Sequence, residues 1–133
     1  MSKSKRERFK AERENIEQLD NISEAERKAF NEFLSAKDPE DVSVSHSDTK
    51  ADGTLSRYAQ GVRRVGSMSD FDVTDTTAEE VNDFFASMLA GDIDGVKSEG
   101  LSKGSVKSYQ SVFRMFYEYH DFGIDKGDIT LFR

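Results

Sequence analysis

Apolar residues recur at helical spacing in four stretches of the chain, and polar residues that start or stop helices flank each one. The first stretch predicts a helix over residues 23–37, because Ser23 and Glu26 have the spacing of a capping box. The second predicts a helix that starts at Thr54 and stops near Gly66. Its apolar face is formed by Leu55, Tyr58, Val62 and Val65.

The third and fourth stretches carry equally clear end signals. Thr77 and Glu80 repeat the capping-box spacing, and Gly91 is the expected stop of the third helix. Ser102 opens the fourth and longest helix, which runs to about residue 121. Because no stretch alternates convincingly as a strand does, we predict an all-α fold, a bundle of four helices. The apolar face of the fourth helix comprises Val106, Tyr109, Phe113, Phe116 and His120.

Polar segments surround and separate these helices. Residues 1–20 offer only Phe9, Ile16 and Leu19 for burial, so we expect a polar helix or tail that forms an N-terminal arm and can fray. Pro39, Gly53 and a cluster of Ser and Asp predict a loop between the first two helices, with a helical start near its end. The segment 91–100 predicts a second, Gly- and Asp-rich loop.

Composition narrows the setting. A chain of 133 residues with 35% hydrophobic residues can close one core, so one domain is expected. The chain has no Cys, its longest apolar run is far shorter than a membrane span, and its N-terminus has no apolar signal region. We therefore expect a cytoplasmic protein. His46 and His120 are the only histidines, and Asp92 to Gly95 is out of register for a calcium loop, so no metal or other cofactor is expected.

Charge is distributed unevenly along the chain. The formal net charge is −7, which argues against a nucleic-acid partner. The chain has 14 Asp and 10 Lys, an excess that favours an origin in a salt-rich, halophilic cytoplasm. However, residues 54–69 and 101–117 each contain three basic residues and no acidic residue, and residues 1–14 are also net basic. On helical wheels the second helix exposes Arg57, Gln60 and Arg64, with Ser56 and Arg63 at the margin. The fourth exposes Lys103, Lys107, Gln110, Ser111 and Arg114.

Such faces consist of groups that donate hydrogen bonds to phosphate oxygens and base edges. Three basic residues on one helix are most often an ordinary hydrated surface. Two acid-free helix faces in so acidic a chain favour a binding surface instead.

Five short segments on three of the predicted helices resemble the core-binding domain of tyrosine recombinases, the phage-integrase and Xer-like family. Ser102-Lys103-Gly104-Ser105-Val106, Ser111-Val112-Phe113-Arg114 and Phe116-Tyr117-Glu118-Tyr119 resemble the closing helix of that domain. Thr54-Leu55-Ser56-Arg57-Tyr58 resembles its earlier Thr-x-x-x-Tyr helix, and Thr77-Ala78-Glu79-Glu80-Val81 the helix between them. The resemblance covers roughly residues 20 to 125.

This resemblance implies a SAM-like four-helix bundle that forms half of a clamp around double-stranded DNA at a recombination site. Its second and fourth helices would face the DNA, with Tyr58 and Tyr109 in the core. It divides the chain into an arm over 1–20, a core-binding domain over 21–125 and the start of a linker over 126–133. The implied DNA contacts are Thr54, Ser56, Arg57, Arg63, Arg64, Lys103, Ser105, Lys107, Ser108, Gln110 and Arg114.

The chain also departs from the family pattern. The family cleaves DNA with an Arg, a His or Lys, a second Arg and a Tyr in a separate C-terminal domain, and we expect no catalytic residue within this chain. The apolar Ile129-Thr130-Leu131-Phe132 segment, where a linker would begin, indicates a fragment of a larger recombinase, with that domain and other protomers on DNA as further partners. A stand-alone protein is the alternative. The exit segment also lacks the family's Asn-Pro. The alternative is a helical protein-interaction or oligomerisation module whose basic faces meet an acidic partner.

Overall fold

The computed structural model describes residues 4–46, 48–91 and 102–130, and within these ranges the chain is helical with no strand. This confirms the all-α prediction. The predicted loop over 91–100 lies outside the described residues, except for Gly91. The segment from Asp92 to Gly95, compared above with a calcium loop, lies wholly outside them. The helices are α1 (Lys5–Glu17), α2 (Glu24–Lys37), α3 (Asp52–Met68), α4 (Ala78–Ala90), α5 (Lys103–Tyr119) and a short 3-10 helix (Lys126–Asp128).

Side-chain caps fix most of the predicted helix ends. The Ser23 hydroxyl accepts from the Glu26 amide at 3.0 Å, and the Glu26 carboxylate accepts from the Ser23 amide at 2.9 Å, so the capping box of α2 forms completely. At α4 only half of it forms: Thr77 accepts from the Glu80 amide at 3.2 Å, whereas the Glu80 carboxylate accepts from the neighbouring Thr76 hydroxyl. Gly91 ends α4 in the left-handed conformation, with φ of 81°.

The bounds of α3 differ from the prediction at both ends. The helix begins at Asp52, two residues before Thr54, and continues through Gly66 to Met68. Gly66 is buried because α3 passes close to α2 there: a Cβ at this position would lie 3.2 Å from Phe30 Cε2 and 3.3 Å from Ile22 Cγ2. Gly66 therefore serves close helix packing and does not stop the helix.

The chain divides into two compact units, Met1–Ser67 and Met68–Arg133. Unit 1 contains α1, α2 and α3. Residues 5–17 form a helix, one of the two structures predicted for the N-terminus. The expectation that this segment frays is wrong, since Phe9 is 1% and Ile16 0% exposed. The core of unit 1 also includes Phe30, Phe33, Leu34, Leu55 and Val62.

Hydrogen bonds from α2 hold the end of α1. The guanidinium of Arg27 donates to the carbonyl oxygens of Ile16, Glu17 and Leu19 at 2.8, 2.7 and 2.8 Å. These carbonyls belong to the last turn of α1 and the residues after it, where the i+4 amides of a continuing helix are missing. The Ile16 carbonyl also accepts from the Leu19 amide at 3.2 Å. A side chain from the next helix thus caps α1.

Unit 2 is built on aromatic residues of α4 and α5. Phe85 contacts Phe113 edge to face with ring centroids 6.1 Å apart, and the buried Tyr117 hydroxyl donates to the Val73 carbonyl at 2.8 Å. The segment after α5 packs back onto this core: Ile129 is 1% exposed, and the Asn82 side chain bonds the backbone of Asp128 and Thr130 at 2.9 and 3.0 Å. The part of the predicted linker that the structure describes is therefore tied to unit 2.

No helix within the described ranges has the length and apolarity that a membrane span requires.

Candidate nucleic-acid interface

The exposed face of α3 carries the predicted contacts of unit 1. Arg57 is exposed, and Thr54, Ser56 and Arg64 are half-buried along the same helix. Arg63 differs, because its Nε donates to the carboxylate of Glu12 on α1. Arg57 is thus presented to solvent, whereas Arg63 is engaged within the protein.

A groove runs between this face of α3 and α1. It has a volume of about 810 Å³, and both of its walls belong to unit 1. Lys5 and Arg8 face it from α1 and Arg57 from α3, and the only acidic residue that lines it is Glu12. The remaining lining is amide, hydroxyl and small residues: Ala11, Asn15, Ala51, Gly53, Thr54, Ser56 and Gln60.

Arg6 fixes the start of α1, and hence one wall of the groove. Its guanidinium donates two bonds to the Asp38 carboxylate at 2.8 and 2.9 Å and lies 2.6 Å from Glu40 and 2.8 Å from Asp52. The Arg6 hydrogen bonds hold the pKa of Asp38 below its ordinary value and raise the pKa of Arg6. Because Asp52 begins α3, Arg6 links the first turns of both helices that form the groove.

The exposed face of α5 carries the predicted contacts of unit 2. Lys103, Ser105, Lys107 and Ser111 are exposed and Ser108 is half-buried. Ser102 is the N-cap, and its hydroxyl accepts from the Ser105 amide at 3.2 Å. No acidic residue lies in the first turn of α5, so nothing in that turn opposes an approaching phosphate.

Gln110 is not on this surface, and the prediction that it contacts DNA from an exposed face is wrong. It is 1% exposed, and its amide nitrogen donates to the Thr130 carbonyl at 2.7 Å. The reason is that the returning segment around Thr130 covers the edge of the apolar face where Gln110 lies. Gln110 holds that segment in place.

Arg114 has a mixed environment. It is half-buried, and its Nε donates to the Lys126 carbonyl at 3.0 Å. The two Nη nitrogens make no hydrogen bond among the contacts described for residues 102–130. Arg114 can therefore brace the 3-10 helix and still offer donors to a ligand.

The two faces present groups that can bind anions. They present ammonium, guanidinium, hydroxyl and amide donors. Across residues 4–46, 48–91 and 102–130, no group of three His, Cys, Asp or Glu side chains is placed to hold a metal ion. Phosphate oxygens and base edges are the ligands that this set of donors fits.

Sequence reasoning missed the contribution of α1 to the interface. Lys5 and Arg8 line the groove beside Arg57, although residues 1–20 were expected to form a separate arm. Two signals were present in the sequence: the net basic charge of residues 1–14, and the spacing of Phe9 and Ile16, which places them on one helical face.

Searches against family models, curated proteins and solved structures find no match for this chain.

Proposed function

We propose that this protein binds duplex DNA as the core-binding module of a tyrosine recombinase, with the contacts carried by α3 and α5. The observation that carries the proposal is the charge on these helices. Both present basic and hydroxyl side chains to solvent, and from residue 54 to 69 and from 101 to 117 neither stretch contains an acid, in a chain of net charge −7.

The acidic remainder of the molecule strengthens this argument. If these helices were ordinary hydrated surfaces, we would expect them to mix signs as α2 does, where Lys28 and Glu32 form an i, i+4 pair at 3.9 Å. A net negative protein repels DNA over most of its surface, so binding must be confined to the regions where cations collect. The faces of α3 and α5 are such regions.

The recombinase part of the proposal depends on the resemblance of the Thr54 to Tyr58, Thr77 to Val81 and Ser102 to Tyr119 segments to that family. The structure supports it only in that these segments lie on successive helices, α3, α4 and α5. A coding frame that continues beyond Arg133 into the family's Arg, His-x-x-Arg and Tyr pattern would support it further. A continuation of unrelated sequence would count against it.

A titration with duplex DNA tests the binding itself. We expect amide shifts grouped on residues 54–67 and 102–114. Lys107→Glu should weaken binding by about tenfold or more, because it removes one phosphate contact and adds a repulsive charge. The matched control is Lys28→Glu, which makes the same charge change at an exposed site on α2 outside both faces.

Equal effects of Lys107→Glu and Lys28→Glu, or no binding by the wild-type protein in dilute salt, would contradict the proposal. Binding to an acidic protein partner through the same faces, without DNA binding, would establish the interaction-module alternative instead.

A further inference from the structure

The groove between α1 and α3 concentrates cations that the described contacts do not engage. Lys5, Arg8 and Arg57 line it, and among the residues that the structure describes none of these three side chains has a hydrogen bond or ion pair. By contrast, the charges of Arg6 and Arg63 are engaged by carboxylates. The positive charges of Lys5, Arg8 and Arg57 in the groove are therefore not neutralised by carboxylates, whereas those of the nearby Arg6 and Arg63 are.

The one acidic residue of the groove does not cancel this charge. Glu12 accepts from Arg63, so its carboxylate is already paired. The side chain of Lys5 lies over Gly53, whose missing side chain leaves it room: a Cβ there would stand 3.2 Å from Lys5 Cδ. An anion in the groove would meet three cations and a paired carboxylate.

The lining favours a nucleic-acid backbone over an acidic peptide. Peptide grooves bind through apolar side chains as well as charge, and the apolar side chains here are only Ala11 and Ala51. Amide and hydroxyl donors fill the remaining positions. This is the composition of surfaces that contact phosphate and sugar.

The length of the groove also suits a backbone strand. Its lining extends from Lys5 to Asn15 on α1, about 15 Å at 1.5 Å per residue, and from Gly53 to Gln60 on α3, about 10 Å. A groove of this length holds a short stretch of one strand, a few phosphates at most, within reach of its three cations.

We propose that the α1–α3 groove holds the phosphate backbone of one strand of the bound duplex, through Lys5, Arg8 and Arg57. This inference rests on the proposed DNA binding and adds α1 to the interface. The N-terminal helix then acts as part of the clamp, positioning the duplex against α3 without reading its bases.

The test compares Arg8→Glu with Lys10→Glu in the full chain. Both residues are exposed on α1 and both changes alter the net charge equally, but only Arg8 lines the groove. Binding of a 20-base-pair duplex is measured by fluorescence anisotropy over a range of KCl concentrations. We expect Arg8→Glu to weaken binding about tenfold and to lower the salt slope of log K by about 1, and Lys10→Glu to change binding less than about threefold. Circular dichroism confirms that both variants stay helical.

The outcomes separate this inference from the proposed function. If Arg8→Glu and Lys10→Glu have equal effects while Lys107→Glu still weakens binding, the proposal that the groove holds a DNA strand is wrong. The proposed DNA binding by α3 and α5 then still stands. No duplex binding by the wild-type protein overturns both. Tighter binding of poly-glutamate than of duplex at equal salt overturns the choice of ligand.

Discussion

Arg6 gathers three carboxylates at one point of unit 1, and this makes part of the stability dependent on pH. Replacing it by Met leaves Asp38, whose side chain is only 8% exposed, without its main partner. Because the pair is partly exposed, we expect Arg6→Met to lower the free energy of unfolding by about 1–3 kcal/mol at pH 7. Lys28→Met, at an exposed site, should change it by less than about 0.5 kcal/mol.

The effect of Arg6→Met should depend on pH through the titration of Asp38. Its pKa is lower in the folded protein than the unfolded value of about 3.9, so the stabilisation is fully present above that value and is lost as the pH falls through the folded pKa. The difference between wild type and Arg6→Met should therefore shrink below about pH 4 in urea unfolding. The pKa of Asp41 is lowered to about 2 by the Ser43 hydroxyl. Asp41 titrates in both wild type and Arg6→Met, so its contribution cancels in the difference between their free energies of unfolding. A difference that stays constant down to pH 2 would contradict this assignment.

At Gly66, stability depends on the absence of a side chain, because a Cβ there would press against Phe30 and Ile22. Gly66→Val places methyl groups against the buried Phe30 and Ile22, so we expect a loss of about 1–3 kcal/mol in thermal or urea unfolding. Gly104→Val is the matched control, since a Cβ there meets nothing within 4 Å, and it should change stability by less than about 0.5 kcal/mol. Equal effects would mean that α3 can shift away from α2.

At the scale of elements, α1 depends on a cap supplied by another helix. Arg27→Met removes all three bonds to the carbonyls of Ile16, Glu17 and Leu19. We expect a loss of about 2 kcal/mol and faster amide hydrogen exchange throughout α1, with α4 and α5 little changed. Arg8→Met should leave exchange as it is, because the Arg8 side chain makes no hydrogen bond to the described residues and its backbone bond to Ser4 is kept. Uniform acceleration across both units would show that α1 does not open separately.

This dependence explains why the sequence predicted α2, α4 and α5 well and α1 poorly. Ser23, Thr77 and Ser102 cap their own helices within three residues, a distance that a local pattern can show. The cap of α1 comes from Arg27, and its position is set by Arg6 reaching Asp38, 32 residues away. With two buried apolar residues in 13, α1 has too weak a pattern of its own.

The same reasoning applies to the candidate interface. The periodicity of α5 correctly placed Lys103 and Lys107 on the surface, because no other described element covers them. It misplaced Gln110, which is covered by a segment 20 residues later in the chain. It also could not show that α1 lines a groove with α3, since a helical wheel describes one helix at a time.

At the scale of the whole molecule, salt should act in opposite directions on folding and on binding. Most of the described Asp and Glu side chains are exposed, and at net charge −7 they repel one another. Raising KCl from dilute buffer to 2 M should therefore stabilise the fold, on the order of 1 kcal/mol in calorimetry or urea unfolding. A fall in stability would contradict adaptation to a salty cytoplasm.

DNA binding should weaken over the same series. If Arg57, Arg64, Lys103, Lys107 and Arg114 each contact a phosphate, affinity should fall about 10⁴-fold between 0.2 and 2 M salt. An affinity that does not change with salt would contradict phosphate binding by these residues.

Glu12 would compete with a DNA phosphate for Arg63, because the Glu12 carboxylate already accepts a hydrogen bond from this guanidinium. A phosphate can recruit Arg63 only by displacing a carboxylate, which cancels most of the gain. Glu12→Gln should thus bind duplex DNA more tightly than wild type, several-fold at low salt, with a salt slope steeper by about 1. Unchanged or weaker binding, measured by anisotropy, would show that Arg63 stays out of the interface even when released. If the protein binds DNA as proposed, Glu12 keeps the affinity below what Arg63 would allow, and the bound duplex is released more readily.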